Sequence, residues 1–365
     1  MADRNRLEAH ERAALRGRPP TDPSGRRLPW KLASAAVSDE EWQDEAFEID
    51  ELTLDDVALE RLRWSAHGVF RKCVLRGVTF DDVVLTGMRF EDVLFEACDL
   101  RELVTEGCAF VRCRFVGGGL HEWRALRTQL AQCTWAGVDA GGWELDDCEM
   151  SRCALEETSL EGLRATGCTL SCKVTGGALE SVDLTQCKGE VLEVDGARLK
   201  GVRALDVELG RLSLSRIAGG QISLGKCRVS AFALRECTDL TSFSLVGSKV
   251  DALRIEACPS LQDVFVRGST LREVSVSGTT LGDTTFEDVD APGDARIEKS
   301  TLRGTFFHGG AWASLTLSDV LLSDYITVEG ARFAVLHKSQ VREADGLRRL
   351  LQGEQYGAAS MTWGP

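Results

Sequence analysis

Large apolar residues recur at every fifth position over a long stretch of this chain. Between residues 70 and 100 they are Phe70, Leu75, Phe80, Leu85, Phe90, Phe95 and Leu100. A smaller apolar residue stands two positions before most of them, at Cys73, Val78, Val83, Met88, Val93 and Cys98. A period of five matches neither an α-helix, at about 3.6 residues, nor a flat strand, at about 2.0. It predicts short inward-facing segments separated by corners, four to a coil of about 20 residues, with the coils stacked as a parallel solenoid.

The pattern resembles the pentapeptide-repeat family over roughly residues 47–335. The triplets Cys98-Asp99-Leu100 and Val182-Asp183-Leu184 fit the family's small–Asp–large pattern in full. The resemblance implies an all-β solenoid, a right-handed quadrilateral parallel β-helix, and we expect short terminal helices beside it. We predict about 14 coils over residues 47–335, an N-terminal segment at 1–46 and a C-terminal segment at 336–365.

The N-terminal segment separates its charges. Residues 1–31 hold eight Arg or Lys, including Arg12 and Arg16, and four acids, whereas residues 39–56 hold ten acids and no base. After a proline-punctuated linker, Ser38 and Glu41 have the spacing of a capping box, which predicts a short acidic helix over SDEEWQDEA. The basic stretch either folds against this helix or forms an arm that docks on a partner.

The C-terminal segment changes period. After Phe333 the five-residue repeat fades, and EADGLRRLLQ at 343–352 carries its leucines at helical spacing. This predicts an amphipathic helix that caps the last coil or joins two copies of the chain, as C-terminal elements do in some members of the family. Tyr356 and Trp363 follow it and either pack on the cap or contact a partner. Together with Arg12 and Arg16, they are the predicted partner-binding residues.

The thirteen cysteines are predicted to be structural. Twelve of them occupy the small inward position, where a thiol acts as a small hydrophobic group. Cys113, Cys133 and Cys153 are 20 residues apart and should stack in successive coils. Only Cys172 is off register, so we expect it alone to react readily with thiol reagents. No C-x2-C pair and no Cys/His cluster with zinc spacing is present, and we expect no metal and no cofactor.

One edge of the repeat reverses the usual sizes. Leu103, Trp123, Trp143 and Leu163 put bulk at the small position, and Thr105, Ala125 and Ala165 are small where Leu or Phe is expected. The reversal keeps the core volume roughly constant, as close packing requires. We therefore predict that both tryptophans are core residues. Elsewhere Pro259 and Pro292 stand at single-residue slips of the repeat, which predicts bulged corners.

The sequence offers no catalytic motif. No nucleophile elbow, zinc-protease motif or phosphate-binding loop occurs, and the histidines are scattered at His10, His67, His121, His308 and His337. A filled solenoid also lacks the concave site that paired carboxylates need. We predict that the chain is not an enzyme. Neither a secretory signal nor an apolar run of about 18 residues is present, which favours a cytoplasmic protein without membrane contact.

Two function classes remain. The first is a scaffold or adaptor that docks on a protein partner. A type II topoisomerase and a component of a secretion or effector system are both compatible partners. The second is a DNA mimic, since acidic family members bind, inhibit or protect DNA gyrase. A DNA duplex carries one negative charge per ~1.7 Å of its length. The net charge of this whole chain is only −14, which is too low to match that density along about 14 coils. The charge density therefore favours the docking scaffold, with no direct binding of nucleic acid.

Overall fold

The computed structural model describes residues 30–33, 36–343 and 360–363. The chain divides into two compact units, residues 1–178 and 179–365. Within the described ranges each unit is built from parallel β-strands, and the predicted all-β solenoid is confirmed. No helix in these ranges is long and apolar enough to cross a membrane.

The strands of the first unit are mostly three residues long, as a five-residue repeat requires. In chain order they are β1 (Trp30–Ala33), β2 (Ala36–Ser38), β3 (Glu41–Asp50), β4 (Leu52–Asp55), β5 (Ala58–Glu60), β6 (Arg63–Arg71), β7 (Val74–Arg76), β8 (Thr79–Asp81), β9 (Val84–Thr86), β10 (Arg89–Glu91), β11 (Leu94–Glu96), β12 (Asp99–Arg101), β13 (Val104–Glu106), β14 (Ala109–Val111), β15 (Arg114–Val116), β16 (Gly119–His121), β17 (Arg124–Leu126), β18 (Gln129–Ala131), β19 (Thr134–Ala136), β20 (Asp139–Gly141), β21 (Glu144–Asp146), β22 (Glu149–Glu156), β23 (Ser159–Glu161), β24 (Arg164–Thr166) and β25 (Thr169–Thr175).

Many strands of the second unit are longer, because they run continuously over two inward positions. They follow β26 (Ala178–Glu180), at the boundary, as β27 (Val182–Thr185), β28 (Lys188–Asp195), β29 (Arg198–Leu199), β30 (Val202–Leu205), β31 (Glu208–Ser215), β32 (Gln221–Gly225), β33 (Arg228–Arg235), β34 (Ser242–Val246), β35 (Lys249–Glu256), β36 (Val264–Arg267), β37 (Thr270–Ser277), β38 (Thr280–Glu287), β39 (Asp290–Glu298), β40 (Thr301–His308), β41 (Ala311–Ser318), β42 (Leu321–Glu329), β43 (Arg332–Ser339), β44 (Arg342–Glu343) and β45 (Ser360–Trp363).

Parallel pairing places equivalent residues of successive coils over one another. Phe90 of β10 pairs with Phe110 of β14, twenty residues later. The three other sides of the same coils follow this register, with Phe95 over Phe115 and Leu100 over Leu120. Each coil of the first unit therefore has four inward-facing strands, which is the four-sided arrangement that the five-residue period predicts.

The corners between strands hold one residue in the left-handed region. Asp82, Asp92 and Arg112 have φ angles of 52°, 55° and 54°. This conformation costs a non-glycine residue roughly 1 to 2 kcal/mol. Part of that cost is offset because the corner N–H groups bond to the next coil. The N–H of Asp92, for example, donates to the carbonyl oxygen of Val111 at 2.9 Å.

The core of the first unit is a set of aromatic stacks along the coil direction. The rings of Phe90 and Phe110 lie 4.8 Å apart at an interplanar angle of 9°. Phe95, Phe115 and Trp135 form a second stack, with centroid separations of 4.5 and 5.4 Å. Each such ring buries roughly 150 to 250 Å². Offset stacking in register thus fixes both the spacing and the alignment of neighbouring coils.

The edge at which large and small residues exchange positions faces the core, as predicted. Trp123 and Trp143 are each only 1% exposed, and Thr105 and Ala125 are fully buried beside them. The indole N–H of Trp123 donates to Thr105 Oγ1 at 3.1 Å. The indole N–H of Trp143 donates to the carbonyl oxygen of Leu120 at 2.7 Å. Both buried polar groups are satisfied, which allows tryptophan at this position without a desolvation penalty.

All thirteen cysteines are free and buried. The prediction that Cys172 is off register and reactive is wrong. Cys172 pairs with Cys153 in the register of β22 and β25, because the corner after Ser171 has one residue fewer than the corner after Ser151. Its hydrogen bond to Cys153, together with burial, raises its pKa well above the ordinary value. Cys172 therefore extends the column of Cys113, Cys133 and Cys153.

Burial makes three of these thiols poor nucleophiles. Desolvation raises the pKa of Cys73, Cys98 and Cys108 from 9.0 to about 11. The Cys98 thiol also donates to the carbonyl oxygen of Leu75 at 3.3 Å. A buried thiol with a raised pKa is protonated at neutral pH, so it packs as an apolar group and does not act as a thiolate.

The second unit keeps inward columns but slips in more than one place. The pairing of β40 with β42 shifts between Arg303 and Thr305, and another slip lies in β39. Strand β39 has nine residues where β37 and β41 have eight, and its pairing shifts between Ala291 and Asp294. Pro292 and Gly293 form the resulting bulge, as the slip at Pro292 predicted. In the coils that follow, Phe307 meets Trp312 and Phe333 edge to face at 5.6 Å, and Trp312 stacks on Phe333 at 6.1 Å.

The predicted short acidic helix is absent, and a strand takes its place. Residues Glu41–Asp50 form β3, which pairs in parallel with β6 and lays Trp42 over Trp64. The two indoles meet edge to face at 4.9 Å. Burial of these side chains outweighs the local capping signal. Because β1 also pairs with β4, the first coil begins near residue 30, ahead of the predicted start at 47. The predicted helix at 343–352 falls almost wholly outside the described residues.

We expect Trp143→Ala to lower the free energy of unfolding by about 3 to 5 kcal/mol, because it leaves a large cavity and removes the donor to Leu120. Denaturant titration measures this loss. Trp143→Phe keeps a ring and should cost less. Ala125→Leu, beside Trp123, should destabilise by about 1 to 3 kcal/mol through overpacking. Neutral results for Trp143→Ala and Ala125→Leu would contradict the inward placement of this edge.

The raised thiol pKa values predict a loss of stability at alkaline pH. In the folded protein, the thiols of Cys98 and Cys108 keep their protons above pH 9.0, whereas the unfolded chain releases them. Their contribution to the free energy of unfolding is therefore complete below pH 9 and declines as pH rises towards 11. Two serine substitutions, Cys98→Ser and Cys108→Ser, keep a hydroxyl donor but do not titrate. Between pH 9 and 11, the wild type should lose about 2 kcal/mol per thiol more than this variant. Parallel pH profiles would contradict the prediction.

Candidate functional site

The predicted partner-binding residues lie at the two ends of the chain. Arg12, Arg16 and Tyr356 fall outside the described residues. Trp363 ends β45, whose backbone pairs in parallel with Val335–Lys338 of β43. The tail therefore adds a strand to the last coil, which its glycine-rich sequence did not predict. The side chain of Trp363 is not among those described, so its role in binding stays a prediction.

Ion pairs of an arginine or lysine with a carboxylate join successive coils over much of the outer surface. Each joins outward positions about one coil apart in sequence. Examples in the first unit are Arg76–Glu96 at 2.7 Å, Arg112–Asp92 at 2.6 Å and Arg127–Glu106 at 2.5 Å. Examples in the second unit are Lys200–Glu180 at 2.9 Å, Arg228–Glu208 at 2.5 Å and Arg303–Asp324 at 2.6 Å. The hydrogen bond from Arg112 lowers the pKa of Asp92. The surface charge is thus neutralised locally over many coils.

One side of the first unit is mainly acidic. It comprises the outward residues of β5, β8, β12, β16, β20 and β23 and the corner after each, and we call it the acidic side. Its carboxylates are Glu60, Asp81, Asp82, Asp99, Glu102, Glu122, Asp139 and Glu161. Two arginines, Arg61 and Arg101, share this side, and each pairs with a neighbouring aspartate. Arg63 of the adjoining strand β6 also binds Asp82 at 2.7 Å. The acidic side is therefore a net negative surface.

The histidines do not build a catalytic site in the described residues. His121 of the first unit lies 3.9 Å from Asp139, over the space that Gly119 and Gly141 leave open. His308 of the second unit lies 3.4 Å from Glu329. Each is exposed and has one carboxylate near it. Over the described ranges, no group of three or more His, Cys, Asp or Glu side chains is arranged to hold a metal ion.

A broad open groove of about 650 Å³ lies on the second unit, across β35, β37 and β39. We call it the bulge groove, because Gly293 of the β39 bulge forms part of its wall. Its lining comprises Ala252, Leu253, Arg254, Glu256, Arg272, Glu273, Val274, Ser275, Gly293, Asp294 and Arg296. It contains a serine but no histidine or cysteine, so it holds neither a Ser–His nor a Cys–His pair. Its chemistry is that of charged recognition.

The residue pattern within a single coil does not predict this groove. It forms because small residues in one coil stand between arginines in the coils on either side, as Ser275 does between Arg254 and Arg296. These residues are 21 positions apart in the chain. The slip at Pro292 was the one local signal, and it predicted a bulge but no binding surface.

The known proteins that this chain is similar to are solved structures, and the similarity concerns the fold alone. No protein-family model and no curated protein matches the chain. HetL of the cyanobacterium Nostoc sp. strain PCC 7120, a pentapeptide repeat protein involved in heterocyst differentiation regulation, is 14% identical, with a TM-score of 0.23 over 66% of this chain and 92% of HetL. QnrB1, a plasmid-mediated fluoroquinolone resistance protein, is 14% identical, with a TM-score of 0.22 over 61% of this chain and 91% of QnrB1.

A third similar structure is an enzyme module. The A-module of the mannuronan C-5 epimerase AlgE6 of Azotobacter vinelandii is 12% identical, with a TM-score of 0.29 over 82% of this chain and 90% of that module. Scores this low transfer no activity to the chain, and its fold is established by its own strand register. By the register of the first unit, with four inward strands per coil and a five-residue period, the chain is a four-sided parallel β-solenoid, which is the architecture that the resemblance to pentapeptide-repeat proteins implies.

Proposed function

We propose that this protein is a non-catalytic docking scaffold that binds a protein partner in the cytoplasm. The observation that carries the proposal is the division between a filled interior and a regular outer surface. Inward columns such as Phe90 over Phe110 leave no room for a substrate inside the coils. What remains for function is the outer surface, where flat parallel sheets present side chains at a fixed spacing of about 4.8 Å.

The chemistry of the described surface supports recognition over catalysis. His121 and His308 each lie within 4.0 Å of a carboxylate, and the bulge groove has no histidine beside Ser275. Paired arginines and carboxylates such as Arg112 and Asp92 hold outward side chains in defined positions. A surface that is ordered in this way loses less conformational entropy when a partner binds.

The acidic side favours a second candidate, a DNA mimic that binds and modulates or protects a type II topoisomerase such as DNA gyrase. Its carboxylates lie in successive coils, about 4.8 Å apart. Over that rise a duplex carries about three negative charges. The acidic side supplies one or two per coil, for example Asp139 in one and Asp99 with Glu102 in another, and Arg101 offsets part of this. The charge density therefore ranks DNA mimicry second.

A supercoiling assay with purified gyrase separates the two candidates. We expect the full chain, at sub-micromolar concentration, neither to inhibit supercoiling nor to protect gyrase from a poison. The matched variant carries Asp81→Lys and Asp82→Lys on the acidic side. If the wild type inhibits or protects and this variant does not, DNA mimicry replaces the scaffold as the better proposal.

Affinity capture tests where a partner docks on the scaffold. If the termini dock, a partner recovered by the full chain should be lost with Arg12→Glu and Arg16→Glu, or with Trp363→Ala. Substitutions are preferable to deletions here, because residues 30–50 and 360–363 form strands that pair with other coils. Arg198→Glu and Arg203→Glu, at exposed arginines of the second unit, form the matched control. Full retention by both terminal variants would exclude docking through these residues.

A further inference from the structure

The bulge groove has arginines on successive sides of a small polar floor. Arg254 of β35 pairs in register with Ser275 of β37, and Ser275 pairs with Arg296 of β39. Adjacent parallel strands lie about 4.8 Å apart, so the Cα atoms of the two arginines are about 10 Å apart across Ser275. Long guanidinium side chains on both sides of a short hydroxyl form a cleft. Arg272 adds a third guanidinium at its edge.

The bulge that forms the wall requires glycine. A Cβ atom at Gly293 would lie 2.1 Å from the carbonyl oxygen of Arg272. No side chain fits there unless the backbone moves, so the close approach of β39 to β37 depends on this residue. Pro292 beside it has no N–H to donate, which suits a position outside the strand ladder. The groove is thus formed by a specific backbone arrangement as well as by side chains.

The charges of the groove are only partly paired. Arg235 binds Glu256 at 3.0 Å, and Arg296 binds Asp294 at 3.3 Å. Among the residues that the structure describes, neither Arg254 nor Arg272 has a carboxylate oxygen within 4.0 Å. The groove therefore has two guanidinium groups available for an incoming anion. Guanidinium binds carboxylates through two parallel hydrogen bonds, which gives both affinity and orientation.

We propose that the bulge groove binds an acidic peptide segment of a partner protein, with side-chain carboxylates held by Arg254 and Arg272 over Ser275. This proposal rests on the docking function proposed above and gives it a contact point on the second unit. Glu273 lies on the rim and is suited to accept a hydrogen bond from the backbone of the same peptide.

Other ligands fit the groove less well. Nucleic acid is disfavoured by the net charge of −14 and by a lining without an aromatic residue for base stacking. A single inorganic anion would occupy a small part of 650 Å³. The net charge also repels acidic peptides from the rest of the surface. The lining as a whole holds three arginines and three carboxylates. Binding of such a peptide would therefore have to come from Arg254 and Arg272, the two lining arginines that no described carboxylate neutralises.

The test uses the full chain and a fluorescein-labelled peptide of alternating glutamate and glycine, with fluorescence anisotropy as the readout. Arg254→Ser with Arg272→Ser should weaken binding about tenfold or more. Gly293→Val, which changes no charge, should weaken it by displacing the bulge. Arg198→Ser with Arg203→Ser removes two exposed arginines elsewhere on the second unit and should change binding less than about twofold. Circular dichroism and melting identify any variant that fails to fold.

Several results would overturn the proposal. They are no binding of the glutamate peptide, equal weakening in the Arg198/Arg203 variant, or equal binding of a lysine–glycine peptide. Competition by inorganic phosphate at the same concentration as the peptide would assign the groove to a free anion. If affinity capture recovers a partner that the Arg254/Arg272 variant still binds, the groove proposal fails and the scaffold stands. If the peptide binds the groove but no partner is captured, the affinity of the groove for acidic peptides stands, and its assignment to a partner protein fails together with the scaffold.

Discussion

Parallel stacking of coils at a single strand spacing is the constraint on which the rest of this structure depends. Corner N–H groups such as that of Asp92 donate to the coil that follows, so neighbouring coils must keep nearly equal length. Each inward residue then lies directly over its equivalent one coil away. The core is consequently a set of columns, and each column must be filled by itself. That is why the bulk of Trp123 is matched by the small Ala125 in the same coil and by Thr105 in the coil before it.

This constraint explains what the sequence predicted and what it did not. The five-residue period assigned the inward positions of Phe90 and Trp143 because those positions repeat in every coil. It failed for Glu41–Asp50, where a capping motif and many acids favoured a helix. The strand forms there because Trp42 packs on Trp64, a contact between residues 22 positions apart. The period also failed for Cys172. The corner before this residue is one residue shorter than in the preceding coil, so Cys172 stacks on Cys153 although the two are 19 positions apart in the chain.

The same stacking shapes the electrostatics. A carboxylate and an arginine that face outward in neighbouring coils are brought together by the register, as Arg112 and Asp92 are. An isolated exposed pair contributes little to stability. Repeated over many coils, such pairs neutralise charge where it arises, so an acidic composition does not by itself create a strongly negative surface. The acidic side, where Arg61 and Arg101 are the two arginines, keeps an excess of carboxylates.

A regular solenoid can acquire a specific site only where its regularity is broken. Identical coils present the same shape at every level, and a partner could bind them in many shifted positions. A one-residue bulge removes this degeneracy, because it occurs at one level of the stack. In the described part of the second unit, the bulge at Pro292 and Gly293 coincides with an open groove and with two arginines that no carboxylate neutralises. Shape and charge thus change at the same level. A surface that marks a unique position in this way is suited to recognise one partner in one orientation, which uniform outward ladders cannot do.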